Sequence, residues 1–230
     1  MKAVRIHRYG GREVLSIDDI PVPTIAPDDV LVRVVAASIN PVDWKVREGY
    51  LAQMIPHALP LTLGWDVSGV IEQVGAQVTQ WQAGDAVFSR PDLARNGTYA
   101  EYVAIRASEC ARKPRTISHV EAASLPLAGI TAWEAMMDTA KVGPGQRVLV
   151  QAGSGGVGSL AIQLVKAVGA TVIATASREQ TQAWVRELGA QHVVDHSQPL
   201  DKALLDAELG EVDYAISLTH TDKHFAALVN

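Results

Sequence analysis

Residues 147–169 read RVLVQAGSGGVGSLAIQLVKAVG. An apolar run, RVLVQA (147–152), precedes Gly153, Gly155 and Gly158 in the spacing G-x-G-x-x-G, and an apolar helical pattern follows. Strand, turn and helix in that order are the context in which this spacing means dinucleotide binding. The first glycine permits the tight turn, the second lets a pyrophosphate approach the backbone, and the third lets helix and strand pack closely. The helix start then presents free N–H groups to the anion. The expected cofactor-binding turn is therefore Gly153, Ser154, Gly155, Gly156, Val157 and Gly158. The 18 uncharged residues between Arg147 and Lys166 also meet the length of a minimal membrane span. Gln151, Ser154, Ser159 and Gln163, together with the glycines, would interrupt a lipid-facing helix, so the stretch reads as buried core with no membrane partner.

Working outward, the strand patterns TVIATA (171–176), HVVD (192–195) and VDYAIS (212–217) alternate with helical patterns at about 156–168, 179–188 and 200–207. This alternation predicts a parallel, doubly wound sheet with helices on both faces, its four strands ordered 3-2-1-4. A complete fold of this kind has six strands, so the reading is of an incomplete sheet with VDYAIS at an open edge. Before residue 113 the texture is different. Short β-type runs (AVRI, DDVLVRVVAAS, WDVSGVIEQVG, DAVFS, GTYAEYVAI) are separated by Pro, Gly, Asn and Asp, and helical patterning is scarce. After Pro114 two short helices are expected, the first capped by Ser118 with Glu121 three residues on. The division expected is 1–115 for a β-rich domain and 116–230 for the nucleotide-binding domain.

Composition narrows the function. At 230 residues with 48% hydrophobic and 20% charged residues the chain can bury a core, which excludes intrinsic disorder. A net charge of −5 and the lack of any Lys/Arg run argue against nucleic acid as a partner. A single cysteine, Cys110, closes no internal disulfide and points to no oxidising compartment, and no apolar leader stands in MKAVRIHRYG, so a cytoplasmic protein is expected. Cofactor choice depends on the end of the second strand, where an acidic side chain suits a ribose 2′-hydroxyl and a basic one a 2′-phosphate. Ser177 and Arg178 favour NADPH over NADH, against Glu179 one residue later.

With these residues in view, the chain resembles the medium-chain dehydrogenase/reductase superfamily. SINPVDWKVREG (38–49), LPLTLGWDVSGVIEQVG (59–75) and LAGITAWEAM (127–136) resemble its quinone oxidoreductase branch. The tail from HVVDHSQPL to EVDYAISLTHTDKHF is similar to the subgroup labelled zinc-type alcohol dehydrogenase-like. The resemblance implies a GroES-like front domain, a Rossmann domain behind it and a nicotinamide in the cleft between them. It also implies a longer chain, dimeric relatives, and His196 beside the adenosine phosphate. Zinc-dependent relatives take their catalytic ligands from Cys-x-x-Asp, from Gly-His-Glu and from a further Cys. The corresponding positions here are Asn40-Pro41-Val42-Asp43, Gly64-Trp65-Asp66 and Leu127, which leaves no ligand set and no metal expected. The pairs His192/His196 and His220/His224 lack a third ligand and read as ordinary surface histidines.

Without a metal, the barrier is lowered by positioning and by hydrogen bonds to an acceptor that is already activated, such as a quinone or an α,β-unsaturated carbonyl. By resemblance, Asn40 bonds the nicotinamide or the substrate oxygen and Thr131 lies near the nicotinamide. Asp43 orients its neighbours, Trp44 and Trp65 are candidate walls for a planar acceptor, and Tyr50 is the hydroxyl nominated as proton donor, with water the other source. Two alternatives stay open at this level: a truncated nucleotide-binding relative without activity, and a zinc-type alcohol dehydrogenase.

Overall fold

β-Branched residues alternating with polar ones, punctuated by Gly and Pro, build eight strands in the first 112 residues of the computed structural model, which describes residues 1–229. They are β1 (Lys2–Ile6), β2 (Leu15–Asp19), β3 (Asp29–Ala36), β4 (Leu61–Thr62), β5 (Val67–Val74), β6 (Ala86–Ser89), β7 (Tyr102–Arg106) and β8 (Cys110–Arg112). Five form an antiparallel sheet in the order β7-β3-β5-β6-β8, and three form a second sheet, β2-β1-β4. Residues 99–101 tie the two together: Val4 donates its N–H to Tyr99, and Val34 donates its N–H to Glu101. Register places Val32 opposite both Val103 and Ile71, and these three are buried with Val30, Val67, Val87 and Ile105.

The five runs expected as strands all contain one. β2, β4 and β8 were not anticipated, and neither was a seven-residue helix, α1 (Pro41–Arg47). That helix is too short to show a periodic pattern. It is set locally by Pro41 at its first position and by the Asp43 carboxylate, which accepts the Asn40 N–H at 2.6 Å.

The chain divides into two compact units, Met1–Leu127 and Ala128–Asn230. The helix α2 (His119–Ala123), capped by Ser118 and Glu121 as expected, packs on β5 and belongs to the first unit. Its His119 Nδ1 lies 2.8 Å from Ser68 Oγ on that strand. Next comes α3 (Pro126–Trp133), followed by a π-helical turn at Glu134–Thr139.

The second unit alternates β9 (Arg147–Val150), α4 (Gly156–Ala167), β10 (Thr171–Thr175), α5 (Glu179–Leu188), β11 (His192–Val194), α6 (Leu200–Asp206), β12 (Tyr214–Ile216) and α7 (Thr221–Val229). All four strands are parallel and ordered β11-β10-β9-β12, the 3-2-1-4 arrangement read from the sequence. Both faces are covered, which is why the strands are apolar at most positions, with polar residues at their ends. Val148, Val150, Val172 and Ala174 pack with Ala161, Ile162 and Val165 of α4 on one face. Leu149, Ile173 and Val194 pack with Leu200 and Leu209 on the other. Among the described residues no helix is long and apolar enough to cross a membrane.

Candidate functional site

The glycine turn is held from below by the end of β10. Thr175, fully buried, accepts the Ala152 N–H on its hydroxyl at 2.9 Å and the Gly153 N–H on its carbonyl at 3.1 Å. Ala152 takes a left-handed conformation (φ 54°), costly for a residue with a side chain and kept here by those bonds. A Cβ at Gly158 would lie 2.4 Å from Ala152 O, and one at Gly153 would touch Ala174 and Ile162 at 3.0 Å. Gly155 and Gly156 are exposed, and a Cβ at Gly156 would meet nothing closer than 3.8 Å. Two glycines therefore make the close packing and two leave the backbone open to a ligand. No side chain caps α4, whose first internal bond is Ser159 N–H to Gly155 O, so the N–H groups of Gly156, Val157 and Gly158 are available to an anion.

Ser154 and Arg178 line one cavity of about 540 Å³ with Thr181, Trp184 and Glu187. Ser177 and Arg178 are exposed just past β10, and no ion pair engages Arg178 among the described residues. Glu179 is the first residue of α5, where a negative charge favours the helix dipole. His196 lies after β11 and lines a different cavity, of about 830 Å³, with His220, Lys223 and His224; its Nδ1 is buried without a partner.

In the first unit, Asn40 stands at the centre of a buried polar network. Asp66 is fully buried, and its Oδ2 accepts from Ser38 Oγ at 2.6 Å and Asn40 Nδ2 at 2.8 Å, while its Oδ1 accepts the Leu127 N–H at 2.8 Å. Asn40 Nδ2 also reaches Ser38 Oγ at 3.1 Å. Asp43 Oδ2 accepts the Asn40 N–H and the Tyr99 hydroxyl, each at 2.6 Å. Burial pushes both carboxyls above the usual carboxylate range, only partly offset by these bonds, and burial followed by the Asp43 contact pushes the Tyr99 phenol up. Trp65 is wholly buried among Ile6, Val46, Leu61 and Leu63, so it is a core residue and walls nothing. Trp44 is half exposed, and Tyr50, exposed, stands edge-on to it at 5.7 Å. Thr131 is exposed on α3.

The family models known as the alcohol dehydrogenase GroES-like domain and the zinc-binding dehydrogenase match residues 26–115 and 156–230. The quinone oxidoreductase of Coxiella burnetii superposes with a TM-score of 0.89 at 37% identity, over 99% of this chain and 71% of that one. The chain belongs to the medium-chain dehydrogenase/reductase superfamily. A zinc-type alcohol dehydrogenase-like protein of Staphylococcus aureus (strain MSSA476) is 39% identical over 213 residues, 90% of this chain and 62% of its own length. The quinone oxidoreductase of Escherichia coli, solved with NADPH, superposes with a TM-score of 0.82 at 30% identity, over 91% of this chain and 63% of that one. This superfamily member thus spans less than two thirds of the staphylococcal relative.

Zinc, which one family description names, does not fit the residues present. The positions at which the sequence comparison placed its ligands do converge, but they bond to one another: Asn40 and Leu127 donate to Asp66, and Trp65 presents an indole. Among the described residues no group of three His, Cys, Asp or Glu is placed to hold a metal ion. A nicotinamide dinucleotide does fit, because the glycine turn leaves open backbone and free N–H groups where its diphosphate would lie. Sequence reasoning missed Ser38, Tyr99 and Thr175, and noticed Asp66 only as part of a lost zinc motif. The available signal was Asp66 itself, a carboxylate between Trp65 and Val67 in an apolar stretch, which can be buried only with hydrogen-bond donors around it.

Proposed function

We propose that this chain is the cofactor- and acceptor-binding part of an NADPH-dependent, zinc-independent oxidoreductase that reduces quinones or α,β-unsaturated carbonyls. The observation that carries the reading is the turn from Ala152 to Gly158, strained, closely packed and backed by an uncapped helix start. Ser154 and Arg178, lining one cavity, support a 2′-phosphate and hence NADPH. When bound, the reduced nicotinamide supplies the hydride.

The protein residues do the rest. Gly156, Val157 and Gly158 bind the diphosphate through their N–H groups, and Arg178 and Ser154 take the 2′-phosphate. Within the first unit Asn40, held by two buried carboxylates, is the side chain offered to a ligand, and within the second unit Thr131 is. The described residues offer no ligand set for a metal that would stabilise an alkoxide, and this favours an acceptor whose reduced form delocalises charge. The proton then comes from Tyr50 or from solvent.

The test is a titration of the chain with NADPH and NADH, repeated on Arg178→Ala. NADPH is expected to bind more tightly, and the variant to weaken NADPH by roughly tenfold or more while leaving NADH alone. Equal affinities before and after the substitution would remove the NADPH assignment. Turnover is read as NADPH oxidation on 1,4-benzoquinone with metal content measured in parallel; stoichiometric zinc required for rate would overturn the metal-free part.

A further inference from the structure

The first unit contains a cavity of about 400 Å³ that none of the residues of the Asn40 network lines. Arg5 of β1 and Thr62 of β4 both line it. The antiparallel register sets these two residues directly opposite one another, so their side chains share one face of the sheet. Arg95 and Tyr102 line the cavity too, and no Asp or Glu does. Apolar surface comes from Ile20, Pro21, Pro23 and Val103. Volume and composition, an apolar lining with a few polar groups, are those of a small-molecule site.

Two of the polar groups are left unfinished by the protein. Thr62 is 2% exposed, and its hydroxyl meets no hydrogen-bond partner among the described residues, although its backbone N–H and C=O are taken by Asn96 and Gly97. A buried hydroxyl is ordinarily bonded, so an idle one lining a cavity marks a place for a ligand. Arg5 is largely buried, with a side chain 16% exposed, and gives one N–H to Pro60 O at 2.6 Å, while its Nε has no partner. The carboxylate facing it, Asp18, stands 3.9 Å from Nη1, beyond hydrogen-bond range, and the same Asp18 oxygen already meets His7 at 2.8 Å. Arg95 differs. Asp29 takes two of its N–H groups, at 2.9 and 2.6 Å, and neutralises it. The cavity therefore offers one cation without a hydrogen-bonded counter-ion, next to one idle hydroxyl.

We infer that this cavity binds a small aromatic monocarboxylate, held by the guanidinium of Arg5 and the hydroxyl of Thr62, with its ring against the prolines and Val103. A guanidinium and a hydroxyl are matched donors for the two oxygens of a carboxylate. One unneutralised cation suits a single negative charge rather than the two of a phosphate, and the apolar lining would leave a strongly hydrated dianion short of partners. Nothing here depends on the function proposed above, since the glycine turn belongs to the other unit.

Benzoate, benzamide and inorganic phosphate are titrated calorimetrically into the wild-type chain, with backbone amide NMR shifts to locate the contact. Benzoate is expected to bind at least about tenfold more tightly than benzamide, the worth of a hydrogen bond to a charged group, and an excess of phosphate should not displace it. Shifts should move at Arg5, Thr62 and Tyr102. Arg5→Met should remove the preference for benzoate. Thr62→Val keeps the β-branched shape, loses only the hydroxyl, and should weaken benzoate by roughly three- to tenfold. Asp18→Asn removes the carboxylate facing Arg5 and should tighten benzoate by roughly two- to fivefold, the range of an exposed ion pair. Damage to the fold cannot produce that gain, so it decides the matter should Arg5→Met fail to fold. Equal binding of benzoate and benzamide, displacement by phosphate, shifts confined to other residues, or wild-type affinity in all three variants would overturn the assignment. Each of these results leaves the proposed function standing, which the NADPH titration tests separately.

Discussion

Asp29 and Asp66 are both buried carboxylates, and their surroundings push them in opposite directions. Asp29 meets Arg95 through two bonds, at 2.9 and 2.6 Å, and this guanidinium holds its carboxyl below the ordinary range. Asp66 has only neutral donors among the described residues, and burial holds it above that range. A depressed carboxyl contributes stability that is present above its unfolded value, about 3.9, and is lost as pH falls. A raised one contributes stability that is complete below that value and is lost as pH rises through its folded pKa. Arg95→Met should therefore destabilise the chain by roughly 1–3 kcal/mol at pH 7, and the deficit should shrink toward pH 4. Asp66→Asn should gain on wild type as pH is raised from 4.5 to 8. Thermal unfolding across that range checks both, and parallel curves for either pair would refute the assignment. Neither partner was legible in the sequence, where Arg95 lies 66 residues from Asp29 and Asp66 looked like the remnant of a metal motif.

The turn between β9 and α4 depends on a third element, β10, whose Thr175 anchors Ala152 and Gly153. Its glycine spacing was readable because each glycine answers a local demand, and the structure meets the demand most tightly at Gly158. Gly158→Ala would place a methyl group 2.4 Å from Ala152 O and 2.8 Å from the Gly153 Cα, neither of which is a flexible side-chain end. Relief requires separating helix from strand, at an expected cost of about 1–3 kcal/mol. NADPH affinity should fall at least tenfold; calorimetric titration and thermal melts read the two effects, and near-wild-type values in both would show that the turn has slack. The helix α1 escaped pattern reading for the opposite reason. Seven residues are two turns, too few for periodicity, and its start is fixed by the Asp43 side chain rather than by an apolar stripe.

Taken whole, the chain has two compact units, one holding the glycine turn proposed to bind phosphate and the other the Asn40 network. If NADPH binds as proposed, hydrogen exchange over all 229 described residues should slow chiefly at the start of α4 and around Arg178. The slowing should reach about a hundredfold when cofactor exceeds its Kd by that ratio and exchange requires release. Protection spread evenly over the β-rich strands instead would place the ligand elsewhere. The sequence by itself determined the parallel order of the second sheet and the tight glycine turn after β9, because periodicity and glycine spacing are properties of neighbouring residues. Residue types alone also put Asn40, Trp65 and Leu127 at the positions where the resemblance would place zinc ligands. Only the tertiary structure decided that Trp65 is core and that Tyr99 and Ser38 join the Asn40 network. Those outcomes depend on burial and on bonds to residues as many as 61 positions apart, which no local pattern encodes.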